Sequence, residues 1–173
     1  GFPDANIKIG NTALDSLTTG TNNTAVGHNA LTANTTGTQN TAVGSNALAT
    51  NTTATGNTAL GYFSLTSENT GASNTGVGWK SLANQQGGSS NTAIGYNSMF
   101  TNTTGGSNVA VGYAALDANT TGSQNVALGA NALGSNTTAD DNAAFGSGAL
   151  SNNTTGTKNT AIGRGVLNAN TTA

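Results

Sequence analysis

Few residues in this chain have side chains suited to chemistry, and those that do fall into columns. The most informative column reads Asn11, His28, Ser45, Tyr62, Trp79, Tyr96, Tyr113, Ala130, Ser147 and Arg164, one residue every 17 positions. Four consecutive members are aromatic, and they include every tyrosine and the only tryptophan. Phe63 and Lys80 directly follow two of them, and Asn97 a third. On stacked strands four rings form a stripe about 14 Å long. If exposed, such a stripe stacks on sugar rings, while Lys80 and Asn97 supply hydrogen bonds. Tyr62, Trp79, Tyr96, Tyr113, Phe63 and Lys80 are the candidate glycan contacts. The competing arrangement has the rings stacking on one another or on a neighbouring subunit, at about 0.5–1.5 kcal/mol per pair beyond burial.

Other chemistry finds little support. His28 is the single histidine and there is no cysteine. No His-Ser-Asp set or repeat-related carboxylate pair is present, so an enzyme is not expected and no residue is put forward as catalytic. Calcium wants six to eight oxygens. No neighbouring repeat adds an acid beside Asp140 and Asp141, which read as a solvated turn, and neither a metal nor a cofactor is expected. Glycine is abundant, but no phosphate-cradling motif with its lysine occurs. Charged residues are only 6% of the chain and the net charge is −2, against about 25% charged in an ordinary domain. That excludes nucleic acid as a partner, because phosphates must be neutralised by Lys and Arg. No apolar run approaches the roughly 20 residues of a spanning helix. Asn-Thr-Thr sequons at Asn34, Asn51, Asn102, Asn119, Asn136 and Asn153 are candidate glycosylation sites. Asn22, Asn152 and Asn170 also fit the sequon, though the repeat produces most of these by itself. The chain starts at Gly1 without Met, which reads as a processed form or a fragment with any export signal out of view.

What positions these columns is the repeat. The leading Asn falls at Asn6, Asn23, Asn40, Asn57, Asn74, Asn91, Asn108, Asn125, Asn142 and Asn159, with no insertion or deletion. Each is followed at fixed offsets by an apolar residue, an invariant Gly (Gly10, Gly27, Gly44 and onward) and a Leu or Met. A 17-residue unit is too short for a helical pair, whose repeats need about 30 residues or more. It fits one coil of a parallel β-solenoid. The expected fold is therefore all-β: residues 1–5 form a joint or linker and residues 6–173 form ten coils in a rod about 50 Å long.

Alternation along a strand puts Thr24 and Val26 on one face and Ala25 on the other. Thr becomes Val at Val109 and Val126, so the Thr/Val face is expected to point into the core. The small middle column is expected to meet a partner at close range. The Asn column is expected to form an amide ladder, the Gly column to mark a special backbone angle or close approach, and Thr-Thr-Gly to form the outer turn. Two large apolar side chains per coil fall short of the ordering cost of 17 residues. Ladders and an oligomeric partner are expected to supply the difference, and a trimer is favoured.

The unit Asn-Thr-Ala-Val-Gly-x-x-Ala-Leu resembles two groups of proteins over residues 6–173. One is the head repeats of trimeric autotransporter adhesins, whose Asn-Ser-Val-Ala-Ile-Gly unit aligns with Asn108-Val109-Ala110-Val111-Gly112 when one residue is skipped. The other is the repeat arrays of phage-type tail fibres, closer through the Asn-Thr-Thr-Gly segment. The adhesin resemblance implies a left-handed, trimeric, parallel β-roll on an extracellular fibre. Its repeat is shorter than the one here.

The expected function is a structural segment of an extracellular fibre, on a virion or a cell surface, that spaces or presents binding surfaces. Adhesion to glycans or a cell-surface receptor is expected to run through the aromatic stripe. The alternatives are a self-assembling, end-to-end filament, since neither end carries a distinct cap, and an ice-binding solenoid built on the Thr columns.

Overall fold

The computed structural model describes residues 5–67 and 70–172; residues 1–4 of the expected joint lie outside it. Each coil contributes one three-residue strand: β1 (Ile7–Ile9), β2 (Thr24–Val26), β3 (Thr41–Val43), β4 (Thr58–Leu60), β5 (Thr75–Val77), β6 (Thr92–Ile94), β7 (Val109–Val111), β8 (Val126–Leu128), β9 (Ala143–Phe145) and β10 (Thr160–Ile162). They stack in chain order into one parallel sheet. Equivalent residues pair throughout, as Thr24 with Thr41 and Ala25 with Ala42. The strict period is the cause, because a parallel ladder of identical units is satisfied coil by coil only in that register. The fold is the all-β solenoid that the period predicts.

The strand faces are reversed from expectation. Ala25, Ala42, Ala59, Ala93, Ala110, Ala127, Ala144 and Ala161 are fully buried, while Thr and Val on either side point outward. The reason is space. The Leu column (Leu31, Leu48, Leu65, Leu82, Met99, Leu116, Leu133, Leu150) fills the coil from the opposite corner. At Gly76 a methyl group would already lie 2.6 Å from Ser64 Oγ, 2.9 Å from Ser81 Oγ and 3.3 Å from Leu65 Cγ. A Val or Thr cannot fit where a methyl barely does. Coils carrying Ser64, Ser81 and Ser98 keep this narrow core by bonding inward: Ser64 Oγ donates to Gly76 O at 2.9 Å and Ser98 Oγ to Ala110 O at 3.0 Å.

The Leu side chains reach the interior through an uncommon corner. Leu31, Leu48, Leu65, Leu116 and their equivalents hold φ between 47° and 55°, the left-handed region that costs a branched residue roughly 1–2 kcal/mol. Inter-coil hydrogen bonds hold them there, as in Leu31 N–H to Ala47 O at 3.0 Å and Leu65 N–H to Ser81 O at 3.0 Å.

Two asparagine ladders run through the core. In the leading column Oδ1 accepts the backbone N–H of the next coil's Asn, at 2.9 Å for Asn40 to Asn57 and 2.8 Å for Asn57 to Asn74. Nδ2 spans the coil to a carbonyl, as in Asn40 to Ala54 O at 2.8 Å. This ladder joins side chain to backbone, with the expected amide-to-amide bonds beside it, as in Asn125 Nδ2 to Asn108 Oδ1 at 3.2 Å and Asn142 Nδ2 to Asn125 Oδ1 at 3.3 Å. The second column is also an amide-to-amide ladder, with shorter bonds: Asn51 Nδ2 donates to Asn34 Oδ1 at 2.9 Å and Asn119 Nδ2 to Asn102 Oδ1 at 2.7 Å.

Candidate functional site

The invariant glycine ends each strand at a φ near +130° and in contact with the next coil. The residue after it stands on the corner, outside the core. This places Tyr62, Trp79, Tyr96 and Tyr113 one above another, and all four are exposed. The ring centroids are 6.5 Å apart for Tyr62 and Trp79, 4.6 Å for Trp79 and Tyr96, and 5.4 Å for Tyr96 and Tyr113. The planes lie within 18° of parallel. Phe63 meets Tyr62 edge-on at 4.5 Å. Lys80 Nζ sits 4.4 Å from the Trp79 centroid and 5.9 Å from that of Phe100, a cation–π arrangement.

All six predicted contact residues thus gather on one corner, but the interior ring faces are turned toward each other. Trp79 and Tyr96 offer ring edges to solvent. The far face of Tyr113 looks toward the Ala130 coil, where the ring column stops. Phe100 joins the cluster beside Lys80 and was not singled out from the sequence. Its only signal was being the one aromatic in the column after the Leu/Met position.

The stack stabilises the middle of the rod. Trp79→Ala is expected to cost about 1–3 kcal/mol, two stacked neighbours at about 0.5–1.5 kcal/mol each. Tyr113→Ala loses only one neighbour and is expected to cost about half as much. Denaturant titration followed by circular dichroism checks both. Equal losses would mean that the stacking contributes nothing.

A second surface was missed. The outward strand face carries two files along the whole sheet. Thr24, Thr41, Thr58, Thr75 and Thr92 lead into Val109 and Val126 in one, and Ile9, Val26, Val43, Leu60, Val77, Ile94, Val111, Leu128, Phe145 and Ile162 form the other. Leu60 is 48% exposed and Ile94 41%. The alternation that marks this face was legible; its direction was not.

The sequon asparagines lie elsewhere. Asn34, Asn51, Asn102, Asn119, Asn136 and Asn153 are fully buried, and their Nδ2 atoms donate within the core, as in Asn136 to Asn119 Oδ1 at 3.0 Å. A glycan on that nitrogen would displace the ladder, so the geometry of the folded coil argues against modification at these positions. Asn22 and Asn152 are exposed.

His28 is exposed on the same corner as the rings, three coils below Trp79. Asp140 Oδ1 accepts the Ser123 N–H at 2.7 Å. Burial raises the Asp117 carboxyl above the usual carboxylate range. Among the described residues no group of three His, Cys, Asp or Glu is placed to hold a metal ion, and no helix is long and apolar enough to cross a membrane. No family model, curated protein or solved structure matches the chain.

Proposed function

We propose that the chain is a structural segment of an extracellular fibre, on a virion or a cell surface, in which copies pack together through the outward Thr/Val face. The observation that carries this is the uninterrupted apolar file from Ile9 to Ile162, outward on every strand. Exposed apolar patches of such extent mark interaction surfaces. The surface is also poor in the charge that keeps monomers apart. The contact surface is therefore the Thr/Val face and not the small Ala column, which lies in the core. Three copies about a common axis, as in the adhesin heads that the repeat resembles, would cover three such files at once. The rod spaces whatever it carries, and the ring column gives it a flank for adhesion to glycans or a receptor.

Light-scattering mass tests the reading. The expected mass is a multiple of 16.8 kDa, with a trimer favoured. Leu60→Lys with Ile94→Lys is expected to return it to one chain while circular dichroism stays unchanged, because both side chains lie outside the core. A wild-type monomer would overturn the packing proposal.

One observation favours a second reading. The file Thr24, Thr41, Thr58, Thr75 and Thr92 faces outward at regular spacing, as ice binding requires. Against it, the file ends at Val109 and its neighbour varies in bulk from Val77 to Phe145. Thermal hysteresis would support ice binding, and its absence would remove it.

A further inference from the structure

The ring column ends abruptly, and its end is shaped differently from its middle. One face of Tyr113 is covered by Tyr96 at 5.4 Å and 8°. The opposite face looks along the rod toward Ala130 and Ser147, and Tyr113 is 58% exposed. Ala130 carries a single methyl group where a further ring would continue the stack. Beyond Ser147 stands Gly148, where an added Cβ would meet nothing within 4 Å. The next member of the column is Arg164, the only arginine of the chain, and it is exposed. Among the described residues the one ion pair is Lys8 with Asp15 at 3.3 Å, so Arg164 has no carboxylate partner there. Asp140 and Asp141 precede β9 and so lie at the opposite end of the strand from this column.

The result is an open slot three coil steps long, about 14 Å between the backbones of Tyr113 and Arg164 at one strand spacing per step. One end wall is the free face of a phenol ring and the other is a guanidinium. The floor is the Ala130 methyl, the Ser147 hydroxyl and the Gly148 backbone. Asn131, also exposed, borders it. Neither the Asn131 nor the Ser147 side chain is hydrogen-bonded among the described residues.

We propose that this slot binds a pyranose that carries a carboxylate, that is, an acidic sugar of a surface glycan. The C–H face of the sugar packs on Tyr113 at the level of Ala130, taking the place of the next ring in the stack. The long Arg164 side chain reaches back across Ser147 to the sugar's carboxylate, with which the planar fork pairs through two N–H donors. Ser147 and Asn131 bond the hydroxyl groups. A flat aromatic ligand without hydroxyl groups would stack on Tyr113 but would leave both polar side chains unused. The rest of the ring column cannot serve in the same way: Trp79 and Tyr96 each stack on a ring on both sides, and Tyr62, the other end of the stack, has Phe63 edge-on at 4.5 Å and no arginine beyond it, only Ser45 and His28. The inference rests on the adhesive part of the function proposed above and is independent of how copies associate.

The test is titration of the full chain with methyl galacturonoside and, separately, with methyl galactoside, following the tyrosine ring signals by NMR. The parent protein is expected to bind the uronoside about tenfold more tightly, the worth of one charge-assisted pair. Ala130→Tyr extends the ring stack into the slot and is expected to abolish binding of both sugars. Arg164→Gln is expected to remove the preference for the acid, and Tyr62→Ala to change neither affinity. Arg164→Gln is a surface change, so it stays informative if Ala130→Tyr disturbs the coil. Retention of the acid preference in Arg164→Gln, or full binding by a folded Ala130→Tyr protein, would overturn the slot while leaving glycan adhesion standing. Failure of the parent to bind either sugar would overturn the slot and the adhesive reading together. The rod reading would remain, since it is tested by mass.

Discussion

Gly112→Ala is expected to destabilise the rod by about 3 kcal/mol or more, a large effect for a single methyl group. Two terms act together. Gly112 holds φ at +136°, a conformation essentially closed to residues with a Cβ, and that Cβ would stand 2.7 Å from both the carbonyl carbon and the oxygen of Gly129. The obstacle is backbone, and it cannot step aside. Gly129 N–H is bonded to Val111 O at 2.8 Å and Asn131 N–H to Tyr113 O at 2.9 Å, so moving Gly129 breaks the bonds that join the two coils. In a stack where each coil touches only its neighbours, such damage splits cooperativity at one interface. Thermal unfolding of Gly112→Ala should therefore broaden or separate into two steps, with hydrogen exchange fastest in the coils of Gly112 and Gly129. Gly148→Ala is the matched control. It meets nothing within 4 Å and has a φ of +67°, so only a left-handed penalty of about 1–2 kcal/mol is expected. Equal effects of the two substitutions would show that contact between successive glycines does not hold the coils together.

Asn108→Ala is expected to cost about 2–4 kcal/mol, more than its small volume suggests. Asn108 Oδ1 accepts the Asn125 N–H at 2.9 Å, and Asn108 Nδ2 donates to Gly122 O at 2.8 Å. Both ends are fully buried, so no water replaces the amide, and the Asn125 N–H is left without its acceptor. Gly122 O retains a bond from Asn119 Nδ2 at 2.9 Å, which limits the loss on that side. Asn108→Asp separates the two roles. It keeps an acceptor for Asn125 but loses the donor and buries a carboxylate, whose folded pKa must rise. A raised folded pKa means that stability falls as pH climbs from the unfolded value toward the folded one. Asn108→Asp should therefore come closest to the parent protein in acid and be furthest below it at neutral pH. Denaturant midpoints across that range check this, and a flat pH profile would mean that the ladder site is wet.

Much of the architecture could be read without coordinates, for an identifiable reason. Seventeen residues separate Asn23 from Asn40 and every later pair, so each column of the sequence had to become a stack in space. That made the ring file of Tyr62, Trp79, Tyr96 and Tyr113 visible, and the stacking of these rings on one another was one of two arrangements foreseen for it. The second asparagine ladder was hidden because Asn-Thr-Thr looks the same whether it forms a surface sequon or a buried bond. The left-handed Leu corner was hidden because Leu31 is a residue that backbone preference places elsewhere.

The sequence by itself determined the period, the parallel register and which residues share a file, because identical units can stack only one way. The tertiary structure alone decided which side of each strand is inside. Alternation over three residues such as Thr24, Ala25 and Val26 is the same pattern viewed from either face, and hydrophobicity favoured the wrong one. What settles it lies across the coil: Leu31 and its equivalents, turned inward by their corner, leave room opposite for Ala25 and nothing larger. Val26 and Thr24 are thereby turned outward, and the rings beside them stack until Ala130 leaves the face of Tyr113 open.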